Sequence, residues 1–493
     1  MRNINKSFRS EWLTSLKNEL RIGLCLVLML ASVPMMAETR FIVRMQGTST
    51  TQQSSGGLLG GLVGGLVNLV NDVLGLLLQN DCLLLNCHVQ YNLDGKQGQV
   101  FLVTTATDQD PATYVRQLTA QPGVQSAEAD LVESILAPAS SSTYTVPGAL
   151  YDTAPVNYYG TTVREGYVTQ PAVGILQLPS AQQSFHVKGS GTIADIDTGV
   201  DPNHPVLKSV LVPGYDFTRN QAGIPDETSD LDQSTAAVIN QSTAAVVNGS
   251  QPAYVNQSTA ACVDQSTAAV VNGPQYAAFG HGTMVSGILH LAAPGAHIMP
   301  LKAFHADGTG YTSDILRAIY FAVDNNAKVL NMSFSFASYS NELNMAIQYA
   351  NQHGVISVAS VGNNGQATLV YPAALPNVMG VASTSNNDTR SAFSNYGPGL
   401  VFVAAPGEGI VTTYPFGAYA AGWGTSFSTP FVSGTVALLL DLEANQNESA
   451  ASTAISHAKF ISLGMGYGRM DIYQAVNSER NSGGLLGGLL GGL

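Results

Sequence analysis

Between about residues 171 and 478 two apolar patterns alternate along the chain. Short apolar runs, "GTIADID", "HIMPLKAF", "AKVLNMSFS", "GVISVASVG" and "NVMGVAS", read as buried strands. Between them, "SDILRAIYFAVDN" and "SNELNMAIQYANQH" read as helices. Strands alternating with helices predict an α/β fold, a parallel sheet with helices on both faces. Ligand sites in such sheets lie at the carboxyl ends of the strands. Residues 38–137 have a different pattern. "TRFIVRM" (39–45) alternates like a strand, "GQVFLVTTA" (98–106) reads as another, and "SAEADLVESIL" (126–136) returns to strand. Between them, Asp110 caps and Pro111 opens a helix whose stripe is Tyr114, Val115 and Leu118. This predicts a small α+β unit ahead of the larger domain.

The segments around these units bound them. Arg2, Lys6, Arg9, Lys17 and Arg21 precede an apolar run from Ile22 to Leu30, followed by Pro34 and Ala37. That order predicts a secretory signal over 1–37 and a secreted or extracellular protein, free or at the cell surface. The run is short for a membrane anchor, which needs about 20 apolar residues. A polar, proline-bearing stretch over 138–170 reads as a linker with a processing site, since nicking concentrates in exposed polar segments. A Gly/Leu-rich insertion interrupts the small unit at 52–87, and a Gly/Leu-rich tail closes the chain at 479–493. The stretch "SGGLLGGL" occurs in both, at Ser55–Leu62 and Ser482–Leu489. Its glycines recur at the spacing that lets helices approach closely. It reads as a device for self-association or surface attachment, or as flexible low-complexity sequence. Residues 233–272 are five tandem octads of the type "QSTAAVxN", compatible with short strands or with a solvated loop.

Composition narrows the partners. Only 11% of residues are charged and the net charge is −13, so the surface is built from uncharged polar residues and nucleic acid is excluded as a partner. Cys25 lies in the signal, and Cys82 and Cys87 are close enough for a local disulfide, which leaves Cys262 alone. With only His88 beside that pair, no metal site is expected there.

Three motifs carry chemistry. In "IADIDTGVDPNHPVL", Asp197 ends a buried strand and meets a turn. In "GHGTMVSGIL", His281 sits between glycines and then opens a helix. In "GTSFSTPFVSGTVALLL", Ser426 follows a Gly-Thr turn, with Pro430 read as belonging to the first turn of the helix behind it. Each alone is an ordinary cap or turn residue. Together, in the order Asp, His, Ser, they match one of the convergent orders of a catalytic triad. His281 lies 84 residues after Asp197, and the octads supply 40 of these, so the repeat reads as an insertion between two catalytic elements.

On these motifs, and on "NMSFS", "SVGNNG", "YPAALPNVMGVAS", "FSNYGP", "AAPG" and "GYGRMDIYQAV" in order, the region 171–478 resembles the subtilisin-like serine proteases, the subtilases. The resemblance implies a serine endopeptidase acting on protein or peptide substrates through an acyl-enzyme. Ser426 would be the nucleophile, His281 the general base and then acid, Asp197 the orienter of the imidazole, and Asn363 a donor to the oxyanion. Ser333, Phe334, Ser335, Ser360, Val361 and Gly362 would line the substrate. Residues 38–137 would be an inhibitory propeptide, the chain's own first partner. No cofactor is needed for the chemistry. The family's structural calcium would have to be assembled from distant loops, since no EF-hand loop is present. The chain departs from the family at Ser335 and Phe336, where glycines are expected and a narrowed cleft follows, and at Asp195, which either perturbs Asp197 or pairs with a local donor. His204 matches a structural position. The rival reading is a catalytically silent subtilase-fold module for binding or surface display. A hydrolase of the "GxSxG" type is excluded by "GTSFS" around Ser426.

Overall fold

The computed structural model describes residues 38–47, 73–135, 145–231, 252–255, 261–264 and 274–490. The signal at 1–37 and the first Gly/Leu ribbon lie outside the described residues.

The N-terminal unit is an antiparallel four-stranded sheet in the order β2-β3-β1-β4, with β1 Thr39–Met45, β2 Cys87–Asn92, β3 Val100–Thr105 and β4 Val124–Ala129. Helix α1 (Pro111–Thr119) packs on one face, and Asp110 caps it by accepting the Thr113 N–H at 3.0 Å. Alternation along β1 sorts its side chains. Phe41, Val43 and Met45 enter the core under α1, whereas Arg40, Ile42 and Arg44 face the other way. Strand β2 begins inside what reads in sequence as the Gly/Leu insertion, and residues 73–85 are helical. Cys82 and Cys87 are joined, tying that helix to β2.

The large unit is an eight-stranded sheet. Its strands are β6 Thr192–Asp197, β7 Gly214–Asp216, β8 Gln221–Gly223, β9 His297–Lys302, β11 Val329–Met332, β12 Ile356–Ser360, β13 Val378–Thr384 and β14 Val403–Pro406, in the order β8-β7-β9-β6-β11-β12-β13-β14. Only β8 pairs antiparallel, at the edge. Successive residues feed opposite layers. Ile193, Val329 and Val358 pack under α2 (His281–Ala292) and α5 (Thr425–Leu442). Ala194, Leu330 and Ala359 pack under α3 (Thr312–Asp324) and α4 (Asn341–Gln352). Burial on both faces is why these strands read as continuous apolar runs.

Two features differ from the sequence reading, and two octad segments take one of the two forms left open there. The linker is described from residue 145, and from there it is packed. Val163 and Tyr167 are buried, and the Tyr167 O–H donates to the Gly287 carbonyl at 2.6 Å. Pro430 lies in the second turn of α5, because the helix already begins at Thr425. Two octad segments, Pro252–Val255 and Ala261–Asp264, pair as a hairpin, and the second strand adds to Ala418–Gly422. The second Gly/Leu ribbon continues a helix spanning Ile472–Leu490. Among the described residues, no helix is long and apolar enough to cross a membrane.

The small unit sits on the amino ends of α3 and α4. Asp130 accepts the Ser313 N–H at 2.8 Å, Glu128 accepts the Asn341 N–H at 3.0 Å, and buried Arg44 pairs with Glu342 at 2.7 Å. Acids at helix amino ends complement the unpaired N–H groups and the dipole there. Beyond β4, strand β5 (Val132–Ser134) pairs antiparallel with β10 (Thr309–Tyr311) of the large unit, and the Ile135 N–H donates to the Gly308 carbonyl at 3.0 Å.

Candidate active site

The carboxyl end of β6 delivers Asp197, whose two oxygens lie 2.8 and 2.9 Å from Nδ1 of His281. The Thr198 N–H donates to the same carboxylate at 2.7 Å. Both side chains of the pair are buried. His281 opens α2 directly after Gly280, whose φ of +87° and closeness to the Tyr414 ring leave no room for a Cβ. The Phe427 ring centroid is 5.8 Å from that of His281, so the first turn of α5, which carries Ser426, lies beside the imidazole.

Asn363 is held by its carbonyl end. Its Oδ1 accepts the Thr425 N–H at 2.8 Å and the Thr425 hydroxyl at 2.9 Å, which leaves its amide N–H groups for another acceptor. The turn carrying it is fixed by a residue the sequence reading missed. Asn395 accepts the N–H groups of Asn364 and Gln366 through Oδ1, at 3.1 and 3.0 Å, and its own N–H reaches the Gly362 carbonyl. Gly362 adopts φ +89°, and a Cβ there would press on Asn395 and on Ser335.

The six residues assigned to substrate contact divide. The Ser333 hydroxyl donates to the Ser426 carbonyl at 3.0 Å. That carbonyl is available because Pro430, four residues on, has no N–H to donate. Phe334 is buried between Phe304 and Phe336. Ser360 and Val361 are buried at the end of β12, and the Val361 N–H donates to the Val381 carbonyl. Ser335 is part-exposed beside Gly362. The narrowing expected from Phe336 is absent. Its ring is buried, stacked on Phe334, and its backbone pairs with Tyr371, so the added bulk goes into the core.

Charged groups far apart in sequence surround Asp197. Glu227 is buried and accepts from Gly280 N–H, Thr198 Oγ1, Thr283 N–H and Thr283 Oγ1. Lys302 is fully buried and donates to the carbonyls of Thr198 and Phe304 and to Asp230, each at 2.7 Å. Asp195 finds two local donors, Asn331 Nδ2 and Ser286 Oγ, both at 2.9 Å. His204 bonds the Ala418 carbonyl at 3.0 Å, away from the pair, as its structural reading requires. Among the described residues, no three His, Cys, Asp or Glu side chains converge as metal ligands.

The Subtilase family model matches residues 189–479, a span holding Asp197, His281, Asn363 and Ser426. The chain is 33% identical over 332 residues to thermitase of Thermoactinomyces vulgaris, covering 64% of this chain and 99% of that protein. It is 33% identical over 293 residues to a thermophilic serine proteinase of Bacillus sp. (strain AK1), covering 59% and 63% of the two chains. To subtilisin BL of Lederbergia lenta it is 39% identical over 169 residues, covering 32% and 62%. It thus spans nearly all of the first relative and less than two thirds of the other two. A crystal structure of a lanthipeptide protease aligns with 21% identity and a TM-score of 0.49, over 63% of this chain and 94% of that one. The chain belongs to the subtilase family and is a serine-type endopeptidase.

Proposed function

We propose that Asp197, His281 and Ser426 form the catalytic triad of a secreted endopeptidase made as an autoinhibited precursor. The observation that carries the reading is the buried Asp197–His281 pair beside the helix start that bears Ser426. A serine hydroxyl is a weak nucleophile until a base takes its proton. Neutral His281 takes it through Nε2 as Ser426 Oγ bonds the substrate carbonyl carbon. Asp197, bonded at Nδ1, fixes the tautomer and stabilises the imidazolium. The carbonyl oxygen becomes an oxyanion, received by the Asn363 amide and the Ser426 N–H at a helix amino end. His281 then protonates the departing amine as the C–N bond breaks, and water repeats the sequence on the acyl-enzyme.

The restraint is assigned to residues 38–137. Strand β5 pairs by its backbone with β10 of the large unit, as a two-stranded ladder of their own. Cleavage within 138–170 would release the unit. The rival reading, a silent binding module, has no use for a buried Asp–His pair and an anchored amide beside one serine.

The test is covalent labelling. The processed protein, treated with a fluorophosphonate, is expected to carry the adduct on Ser426, and the Ser426→Ala protein none. A folded, processed protein that neither labels at Ser426 nor cuts a peptide library sinks the triad.

A further inference from the structure

Asp195 is a buried acid that the scheme above leaves unused. It lies on β6 two residues before Asp197, and in register with Asn331 on β11. Its Oδ1 accepts from Asn331 Nδ2, and its Oδ2 lies 2.9 Å from Ser286 Oγ. Each partner belongs to a different part of the site. Ser286 stands on α2, the helix that His281 opens. Asn331 Nδ2 also reaches Ser333 Oγ at 3.0 Å, and Ser333 Oγ donates to the Ser426 carbonyl. The Asn331 carbonyl oxygen accepts from Ser433 Oγ at 2.7 Å, a second tie to α5.

Resting on the triad reading, we propose that Asp195 is a positioning residue for the reaction. One carboxyl group joins the strand of Asp197, the helix of His281 and, through Asn331 and Ser333, the helix start of Ser426. It does so as the neutral acid. Burial, and then the charge of Asp197, push its proton affinity well up, against smaller opposing effects of Asn331 and Ser286. The groups bonded to it are an amide from β11 and a hydroxyl from α2, and neither supplies a positive charge. With the proton on Oδ2, the bond to Ser286 runs from the acid to the hydroxyl oxygen, the reverse of its direction at an ionised carboxylate, while Oδ1 still accepts from Asn331. A buried network is rigid only when every member is satisfied, and this arrangement satisfies both bonds without a second charge beside Asp197.

The test compares two substitutions in the processed protein, with kcat and KM measured separately on a peptide substrate. Asp195→Asn mimics the neutral acid, with a carbonyl for Asn331 and an amide N–H for Ser286. It is expected to keep kcat within about threefold and leave the pH profile of kcat/KM unmoved. Asp195→Leu keeps the bulk and loses both bonds. It is expected to lower kcat by on the order of 10²-fold with KM within about twofold, the size of effect that a 1 Å misplacement produces. A fall in Asp195→Asn as large as in Asp195→Leu, or a shifted profile in Asp195→Asn, overturns the neutral acid. Unchanged kcat in folded Asp195→Leu, or a change in KM alone, overturns the positioning role. If Asp195→Leu does not fold, Ser286→Ala decides: a several-fold fall in kcat at constant KM supports the proposal, and an unchanged kcat overturns it. Labelling of wild-type Ser426 reports on the triad separately, so the two failures are distinguishable.

Discussion

The two units of this chain bury their sheets in different ways. In the large unit both faces of the sheet are covered by its own helices, and residues such as Val329 and Leu330 feed opposite apolar layers. In the small unit one face is covered by α1, and the other is completed by its neighbour. Ile42, Val100 and Leu102 share a cluster with Ile315, Leu316 and Ile319 of α3, flanked by the Arg40–Asp130 and Arg44–Glu342 pairs. That cluster takes five apolar residues of the small unit, Ile42, Leu93, Val100, Leu102 and Ile135, with the two arginine pairs beside them. The large sheet, apolar on both sides, has no separable layer.

The largest effect that sharpens this contrast concerns the large unit alone. Asn363→Ala is expected to lower kcat by roughly 10²–10³, the magnitude carried by a single oxyanion donor in subtilisin itself. KM should change little, and docking of the small unit not at all. Kinetics on the processed protein, with hydrogen exchange on the precursor, check both halves.

The next concerns the contact. Glu342→Ala leaves buried Arg44 with the Tyr320 hydroxyl at 3.4 Å in place of the carboxylate, and breaking one side of a buried pair then costs about 3 kcal/mol, the lower end of its range. The docking equilibrium should weaken by about 10²-fold. In the Ser426→Ala precursor, which should not cut itself, the amides of β5 are expected to lose protection. Unchanged protection would mean that backbone pairing with β10 carries the docking without the ion pair.

The smallest effect is set by pH. Burial pushes the Glu133 carboxyl up to about 7 and that of Asp314, on α3, up to about 6. Both groups therefore take up protons on docking. Their contribution is full below the unperturbed carboxylate range and is lost as pH rises through about 6 to 7. Protection of β5 in the Ser426→Ala precursor, corrected for intrinsic exchange, should be higher at pH 5 than at pH 8. An equal or reversed result would mean that neither carboxyl changes its environment on docking.

Much of the site was legible because its motifs are local. Asp197, His281 and Ser426 each sit at a strand end or helix start that a few neighbouring residues specify, and Gly280 marks a turn that its φ of +87° requires. The β1 alternation and the Asp110 cap were legible for the same reason. Strand β2, "CHVQYN", is short and follows directly on a leucine-rich run that is helical, so its weak alternation of Cys87, Val89 and Tyr91 stands out only once it pairs with β3. Lys302 was read as part of an apolar run, and its charge is tolerated only because Thr198, Phe304 and Asp230 converge on it. Phe336 stands in a motif that borders the cleft, and only its stacking on Phe334 and the Tyr371 bridge show that its ring lies in the core.

The sequence by itself determined the order of strands and helices, the residues at their ends and the chemistry those residues can perform, because hydrophobic period, caps and turn glycines act over a few positions. Only the tertiary structure decided which distant groups stand together: Asp195 with Ser286 and Asn331, Glu227 with Thr283, Asn395 with the Asn363 turn, Arg44 with Glu342. Those pairings are settled by strand register and by the need to satisfy polar groups once they are buried. Neither exists until the chain has closed on itself.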